Sequence, residues 1–504
     1  MDWGAIRRVV RWPLLWTACL LAAALAYGDI DHPPDLDSYY HAAVARKMAA
    51  TGGPVSGLSE LRFSTARDAY SDKELLLHAF LAPLVGEQGP VDGALKLAGA
   101  LLGALLLIVV TTAAASAGAA HAWTALPILL GSYFTVRFVM VRPHLLSVTV
   151  LLLGAIAIVR RRAGLAAACA AIHVWCHVSF HLLPGLAIGA SVLRRLLKWG
   201  RQSPDRPDRP DRPDLRTPLL VVVGAAAGLA LHPHASDLLN NWVRHNLGVL
   251  SAAWGMAAAQ ADLARELRPL PLSEWLLEGL SVHVLYGAGL AHLASRRRQA
   301  PSDAIVLSAM TLPFLGLSLL SRRFFELYAP FAVVAGLWSL RDAGPRLRLW
   351  VPVIAAVIGL TTIAREGPVR GFLTVAGLPP PMSREVADAV ARQVPPGASI
   401  VTCGWDYTGL LMIELPGRGL IAALDPNHVE DPVARHALAV WSGHANAPDP
   451  LHLVSGVLDS DYVLCRRDWP APPGLERLKA DPRVVPLIDG EDDPWFLWRV
   501  RRGS

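Results

Sequence analysis

A chain of 504 residues in which 53% are hydrophobic and 17% charged, with a mean hydropathy of +0.37, carries more apolar surface than soluble folding requires. That balance excludes an ordinary soluble enzyme and makes the bilayer the expected solvent. The net charge of +6 is mostly a signal of membrane topology and gives no reason to expect a nucleic-acid partner.

Apolar runs close to the roughly 20 residues a helix needs to cross the hydrocarbon predict spans near 12–28, 93–117, 122–138, 143–159, 217–234, 275–294, 303–320, 325–340 and 349–365. Residues 164–193 read either as two short helices or as one re-entrant hairpin, and both return the chain to the same side. Arg7, Arg8, Arg11, then Arg160 to Arg162, Arg194, Arg195, Lys198 and Arg201, then Arg296 to Arg298, and finally Arg341, Arg346 and Arg348 share one side when the spans are counted in order. By the positive-inside rule that side is the cytoplasm. The expectation is a polytopic α-helical membrane protein of about 11 transmembrane helices, with its amino terminus cytoplasmic and everything after about residue 366 extracytoplasmic. The first span lacks a small-residue cleavage site and is read as a retained anchor.

Within residues 1–366 the expected first outer loop is 29–92, a cytoplasmic Arg/Pro/Asp linker occupies 201–216, and a further outer loop occupies 235–274. The linker repeats a proline at every third place, which suits an extended, solvated spacer. A connecting stretch, 367–382, leads to a domain at 383–504. There an amphipathic helix, "SREVADAVARQV", precedes strand-like runs at "ASIVTC", 420–424, 462–465, 484–488 and 495–500. Such alternation predicts a small extracytoplasmic α/β layer. Cys403 and Cys465 lie at the ends of two of these strands, either as a disulfide or as two buried thiols.

Polar residues gather on the outer side. The first outer loop begins "DIDHPPDLDSYYH", with Asp29, Asp31, Asp35 and Asp37 leading into a helix expected to start near Ser38, where Asp37 is the natural cap. Asp37 and His41 then share a helical face with Tyr40 beside it, an arrangement suited to a general base or a cation site. In "YSDKELLLHAFLAPL", Asp72 and Lys73 open a helix that carries His78 one turn later. This reads equally as an interfacial helix with a charged start or as part of a site. His173, His177 and His181 recur every fourth residue, and His232 and His234 follow in "LHPHASD". Metal ligation, a polar lining for a headgroup or substrate, and interhelical hydrogen bonds all fit that spacing. Arg137, Arg142, Arg322 and Arg323 fall at outer boundaries against the positive-inside rule, and arginine's planar fork suits phosphate.

Together these residues resemble the GT-C superfamily of membrane glycosyltransferases. "DLDSYYHAAVAR" (Asp35 to Arg46) is similar to the first-loop motif of oligosaccharyltransferase catalytic subunits, and "SIVTCGWDYTG" (Ser399 to Gly409) resembles their Trp-Trp-Asp-Tyr-Gly motif. "SRRFFELYAPF" (Ser321 to Phe331) is similar to an arginine-rich segment before a late span in bacterial members. The resemblance implies a GT-C-like fold and a polyprenyl-phosphate-linked sugar donor, with membrane lipids around it and an acceptor the sequence does not name. It implies Asp37 as the carboxylate of acceptor activation or metal binding, Asp35 as its competitor, and Trp405, Asp406 and Tyr407 as acceptor-recognising residues. The sequence departs from the motif at Gly404, where a tryptophan would stand, and "VRFVMVRPH" (Val136 to His144) lacks the second Asp-X-Asp pair. Both departures argue against transfer onto asparagine, and fewer carboxylates mean fewer ligands for a divalent Mg or Mn ion. A divalent Mg or Mn ion is the one cofactor the resemblance leaves open.

The chemistry expected is a sugar transfer in which Asp37 deprotonates the acceptor, Tyr40 and His41 position it, and Arg142 and Arg323 hold phosphate. His144 beside Arg142, and Glu266 in "ARELRP", are further candidates. An oligosaccharyltransferase is the nearest variant of this reading. A lipid or sugar transporter is the alternative from another class, since it too would carry ionisable residues within its spans.

Overall fold

In the computed structural model the described residues are 3–116, 121–199, 214–253, 269–296, 299–366, 382–404, 407–421, 433, 437, 441, 449–467, 474–490 and 494–502. Two compact units emerge from the chain. One is helical and takes in Met1–Asp31, Lys73–Leu77 and Lys96–Leu378; the other takes in His32–Asp72, His78–Leu95 and Pro379–Ser504. The sequence assigns the first outer loop to the transmembrane domain. Most of it clusters instead with the carboxy-terminal residues, because its backbone and side chains find partners there.

The helices are α1 (Trp3–Gly28), α2 (Leu36–Thr51), α3 (Leu75–Val85), α4 (Asp92–Ser116), α5 (Ala125–Leu130), α6 (Phe134–Phe138), α7 (His144–Val159), α8 (Ala163–Cys176) and α9 (Leu182–Trp199). They continue as α10 (Arg216–Ala230), α11 (Ala235–Ala253), α12 (Leu272–Glu278), α13 (Leu280–Ser295), α14 (Ser302–Leu320), α15 (Phe325–Ser339) and α16 (Pro345–Glu366). Among the described residues three helices are long and apolar enough to cross a membrane, or up to five if each bent pair counts as one span. Four shorter apolar helices accompany them. This is the architecture of a multi-pass membrane protein.

Three expected spans are broken. Residues 122–138 form two short helices, because Ser132 Oγ takes the Leu129 carbonyl at 2.7 Å and Thr135 Oγ1 takes that of Leu130 at 2.5 Å, ending α5. The run 217–234 stops at Ala230, ahead of Pro233, and the chain turns by 117° into α11. The run 275–294 is bent by 82° between α12 and α13, at Gly279. Residues 164–193, by contrast, resolve into the two short helices α8 and α9.

Packing in this unit follows small residues. On α10, a Cβ at Gly224 would lie 2.2 Å from the Ala167 carbonyl of α8, so the two backbones meet at a distance only glycine permits. All fifteen residues of α15 are buried, as expected of a helix apolar on every side.

In the second unit the helix expected from "SREVADAVARQV" is α17 (Arg384–Gln393), capped by Ser383, whose Oγ accepts from Val386 N. Five strands follow: β1 (Ser399–Thr402), β2 (Gly419–Leu420), β3 (Tyr462–Arg466), β4 (Val484–Ile488) and β5 (Trp495–Val500), with α18 (Thr408–Glu414) and α19 (Leu475–Lys479) between them. Their order is β2-β1-β3-β5-β4, with β1 parallel to both neighbours and β5 antiparallel to both of its own. Thr402 pairs with Leu464, which sets the next residues, Cys403 and Cys465, side by side, and they form a disulfide with Cα atoms 5.1 Å apart. Cys19, Cys169 and Cys176 are buried free thiols.

The first loop extends this sheet. Leu420 N donates to Glu60 O at 2.6 Å and Arg62 N to Leu420 O at 2.9 Å, so residues near Leu61 run parallel to β2 along the sheet edge. Phe63 packs against the sheet's apolar core, and the Arg62 guanidinium reaches the Asp459 carboxylate. Exposed edge groups of the sheet are thereby paired within the unit.

Candidate functional site

The first-loop helix begins two residues earlier than the sequence suggests. Asp35 is its cap: Oδ2 accepts from Ser38 N at 3.2 Å and Oδ1 from Ser38 Oγ at 2.5 Å. Two prolines hold the approach extended, so the helix starts at Leu36. Asp37 therefore stands inside the first turn and is not the capping residue. Asp35, the rival candidate for the base, is buried and both its oxygens serve the cap.

α2 is buried along most of its surface and rests on α18. Gly409 makes that approach possible, since a Cβ there would lie 2.4 Å from Tyr40 N. This glycine closes the segment that resembles the Trp-Trp-Asp-Tyr-Gly motif, and sequence reading gave it no role. Tyr407 is buried against Trp495, ring to edge at 4.8 Å. Trp405 and Asp406 lie outside the described residues, as does Glu266.

His41 and His78 meet here. His41 Nδ1 is 2.9 Å from His78 Nε2, and His78 Nδ1 is 2.8 Å from Asp72. Asp72 and His78 are fully buried and His41 nearly so. Of the two readings of this stretch, the charged start of a surface helix does not describe Asp72: it precedes α3 and is a buried hydrogen-bond acceptor. Lys73 pairs with its neighbour Glu74 at 3.7 Å. Tyr40 bonds Tyr70 through their hydroxyls at 3.2 Å and presents an edge to both imidazoles.

A second polar group on the same unit was not anticipated. Tyr39 donates to Asp92 at 2.6 Å, and burial with that neighbouring carboxylate pushes the phenol well above its ordinary range. Burial raises Glu414 on α18 above the usual carboxylate value, with the charge of Asp92 adding to it and Arg46 opposing it. Tyr39 and Arg46 belong to the first-loop segment quoted above, whereas Asp92 and Glu414 carry no motif; only the fold brings the four together.

The helical unit holds its own charged cluster. Arg137 donates through Nε and a terminal nitrogen to Glu326 Oε2, both at 2.8 Å, and both side chains are buried. His144 lies 3.9 Å from the same carboxylate and bonds the Arg137 carbonyl at 2.7 Å. The charge of Arg323 also acts on Glu326, and that of Arg142 on His144. Arg322 has a buried Nε without a hydrogen-bond partner among the described residues. Arg137 thus serves an internal ion pair with Glu326. Glu326 sits within the arginine-rich segment quoted above, yet its pairing with a residue 189 positions away left no local mark.

The histidine row does not form one face. α8 ends at Cys176 and His177 is extended, so the stacking at every fourth residue is lost. His173 bonds Ser147 of α7 at 2.9 Å, and His181 accepts from Trp242 Nε1 of α11 at 2.9 Å, both interhelical bonds. His177 bonds Ser179 at 2.8 Å, while His232 meets Trp175 edge-on and accepts from the backbone of His234. Among the described residues no group of three or more His, Cys, Asp or Glu side chains is close enough to hold a metal ion.

No protein-family model matches the sequence, and no curated protein matches it. Solved structures do match its shape. The archaeal oligosaccharyltransferase AglB of Archaeoglobus fulgidus, solved with an inhibitory peptide and a dolichol-phosphate, superposes with a TM-score of 0.60 at 12% identity, covering 90% of this chain and 69% of its own. ArnT of Cupriavidus metallidurans, bound to undecaprenyl phosphate, also gives 0.60, at 14% identity over 97% of this chain and 98% of that one. The arabinofuranosyltransferase AftD from Mycobacteria gives 0.52 at 18% identity, over 99% of this chain and 42% of that one. At such identities the likeness is one of fold, the fold that these solved structures share.

Proposed function

We propose that the chain is an integral-membrane glycosyltransferase that moves a sugar from a polyprenyl-phosphate-linked donor to an acceptor at the outer face of a bacterial-type plasma membrane. The observation that carries this reading is the end-to-end match to ArnT, solved with undecaprenyl phosphate: a fold shared over 97% of one chain and 98% of the other. The Cys403–Cys465 disulfide supports an oxidising, extracytoplasmic setting for the sheet unit.

The reaction needs few groups. The acceptor oxygen forms a bond to the anomeric carbon while the carbon–oxygen bond to phosphate breaks, and its electron pair leaves on the polyprenyl phosphate. Arg142, Arg322 and Arg323 are the cations suited to that phosphate, as charge-assisted donors. Asp37 takes the hydroxyl proton, as a carboxylate in the first turn of α2 beside the capping Asp35.

The test is transfer of radiolabelled sugar from a panel of polyprenyl-phosphate sugars in membranes carrying the wild type or Asp37→Asn, each with and without a chelator. Removal of a general base is expected to lower transfer about 10²–10⁴-fold. Equal transfer by both proteins would remove Asp37 from the mechanism, and no transfer by the wild type from any donor would overturn the transferase reading.

A further inference from the structure

The Asp72, His78 and His41 chain has a direction. A carboxylate accepts, so the 2.8 Å contact with Asp72 places a hydrogen on His78 Nδ1 and leaves His78 Nε2 as a lone pair. The 2.9 Å contact to His41 Nδ1 then places a hydrogen on that nitrogen, and the lone pair of that ring falls on Nε2. One buried carboxylate thus sets the tautomer of two rings in series. His41 also lies one turn after Asp37 on the same face of α2, the spacing at which helical side chains meet. A pair of histidines that only packed would need no such ordering. A carboxylate that orients an imidazole and stabilises its charged form is how a proton acceptor is prepared.

We infer that His41, His78 and Asp72 form a proton relay that draws the acceptor's proton away from Asp37 during transfer. The inference rests on the glycosyltransferase reading. The proton reaches Asp37 from the acceptor hydroxyl and passes to His41 Nε2. The hydrogen on His41 Nδ1 moves to His78 Nε2, which makes His78 an imidazolium held against the Asp72 carboxylate. Asp37 is again an anion when the sugar bond is complete, and the relay returns its proton to water by the reverse path once the products leave. His78 and Asp72 touch no substrate and act through His41, so they are positioning residues.

The tautomers can be read without turnover. Full-length protein labelled with 15N-histidine is reconstituted in liposomes, and nitrogen NMR assigns the two rings by the signals lost in His41→Gln and His78→Gln. Hydrogen on Nδ1 of both rings is expected at neutral pH, together with loss of that pattern in Asp72→Asn, whose amide donates as well as accepts. In the transfer assay Asp72→Asn is expected to lower kcat about 100-fold with KM unchanged, since ordering of the rings changes while substrate contacts remain. A hydrogen on Nε2 of either wild-type ring would overturn the relay, and so would an unaltered kcat in Asp72→Asn. If the wild type transfers nothing, the transferase reading falls, and the tautomers alone then decide whether the proton path exists.

Discussion

The helical unit and the sheet unit invert one another's surfaces. Among the described residues every large apolar side chain with marked exposure belongs to the helical unit except Val433. That unit hides an ion pair, Arg137–Glu326, in its interior. The sheet unit buries Trp441, Phe496 and Trp498 in its core, and carries Arg62, Asp459, Asp461 and Arg502 as a partly exposed network. The difference teaches that each unit is stable in its own solvent. In hydrocarbon an unsatisfied polar group is the costly element, and in water an unburied apolar one is.

The largest effect should come from breaking the internal ion pair. Arg137→Met strands Glu326 in the helical unit and is expected to cost about 3–5 kcal/mol, seen as a lower Tm in detergent, whereas Arg137→Met with Glu326→Leu should recover most of it. Equal losses in the single and double variants would show that the unit does not treat buried charge as the comparison requires. Next comes the disulfide. It closes a 62-residue separation, and its removal by Cys403→Ala with Cys465→Ala is expected to destabilise the sheet unit by about 4 kcal/mol. Hydrogen exchange should rise in β1 and β3 and stay unchanged in α13 to α15; a rise in both would mean the two units do not answer separately.

The smallest effect concerns Glu414, whose carboxyl is raised mainly by burial. A carboxyl with a folded pKa above its unfolded one binds more protons when folded, so stability falls as pH rises from the unfolded value through the folded one. Glu414→Gln is therefore expected to raise stability at neutral pH and to leave it nearly unchanged in acid. A neutral-pH loss in this variant would show that the ionised carboxylate, rather than its burial, dominates there.

Much of this organisation was legible in local pattern. The strands from Tyr462, Val484 and Trp495 fall where period and turn residues place them, and α4, α7, α14, α15 and α16 match apolar runs to within a few residues. The rest depends on hydrogen bonding, backbone conformation and close approach, which hydropathy and residue type do not register. The break at Ser132 and Thr135 arises from hydroxyls competing for carbonyls inside an apolar run, which hydropathy does not register. The cap was misplaced by two residues because Asp35 and Asp37 are equivalent as types, and only the extended backbone at Asp35 separates them. His41 and His78 were both named as candidates, but 37 positions apart nothing in the sequence joins them. Gly409 was quoted and passed over, because a close approach leaves no trace except the missing side chain.

The ion pair between Arg137 and Glu326 also bears on biogenesis. The two residues are separated by 189 positions, so Arg137 is synthesised and delivered to the membrane long before its partner exists. Until then its charge must be kept hydrated or sheltered, and α15, buried on every side in the finished unit, has no lipid-facing surface of its own to recommend early release. The pair is therefore completed only once α15 has been made, and the order of translation becomes part of how the fold is reached.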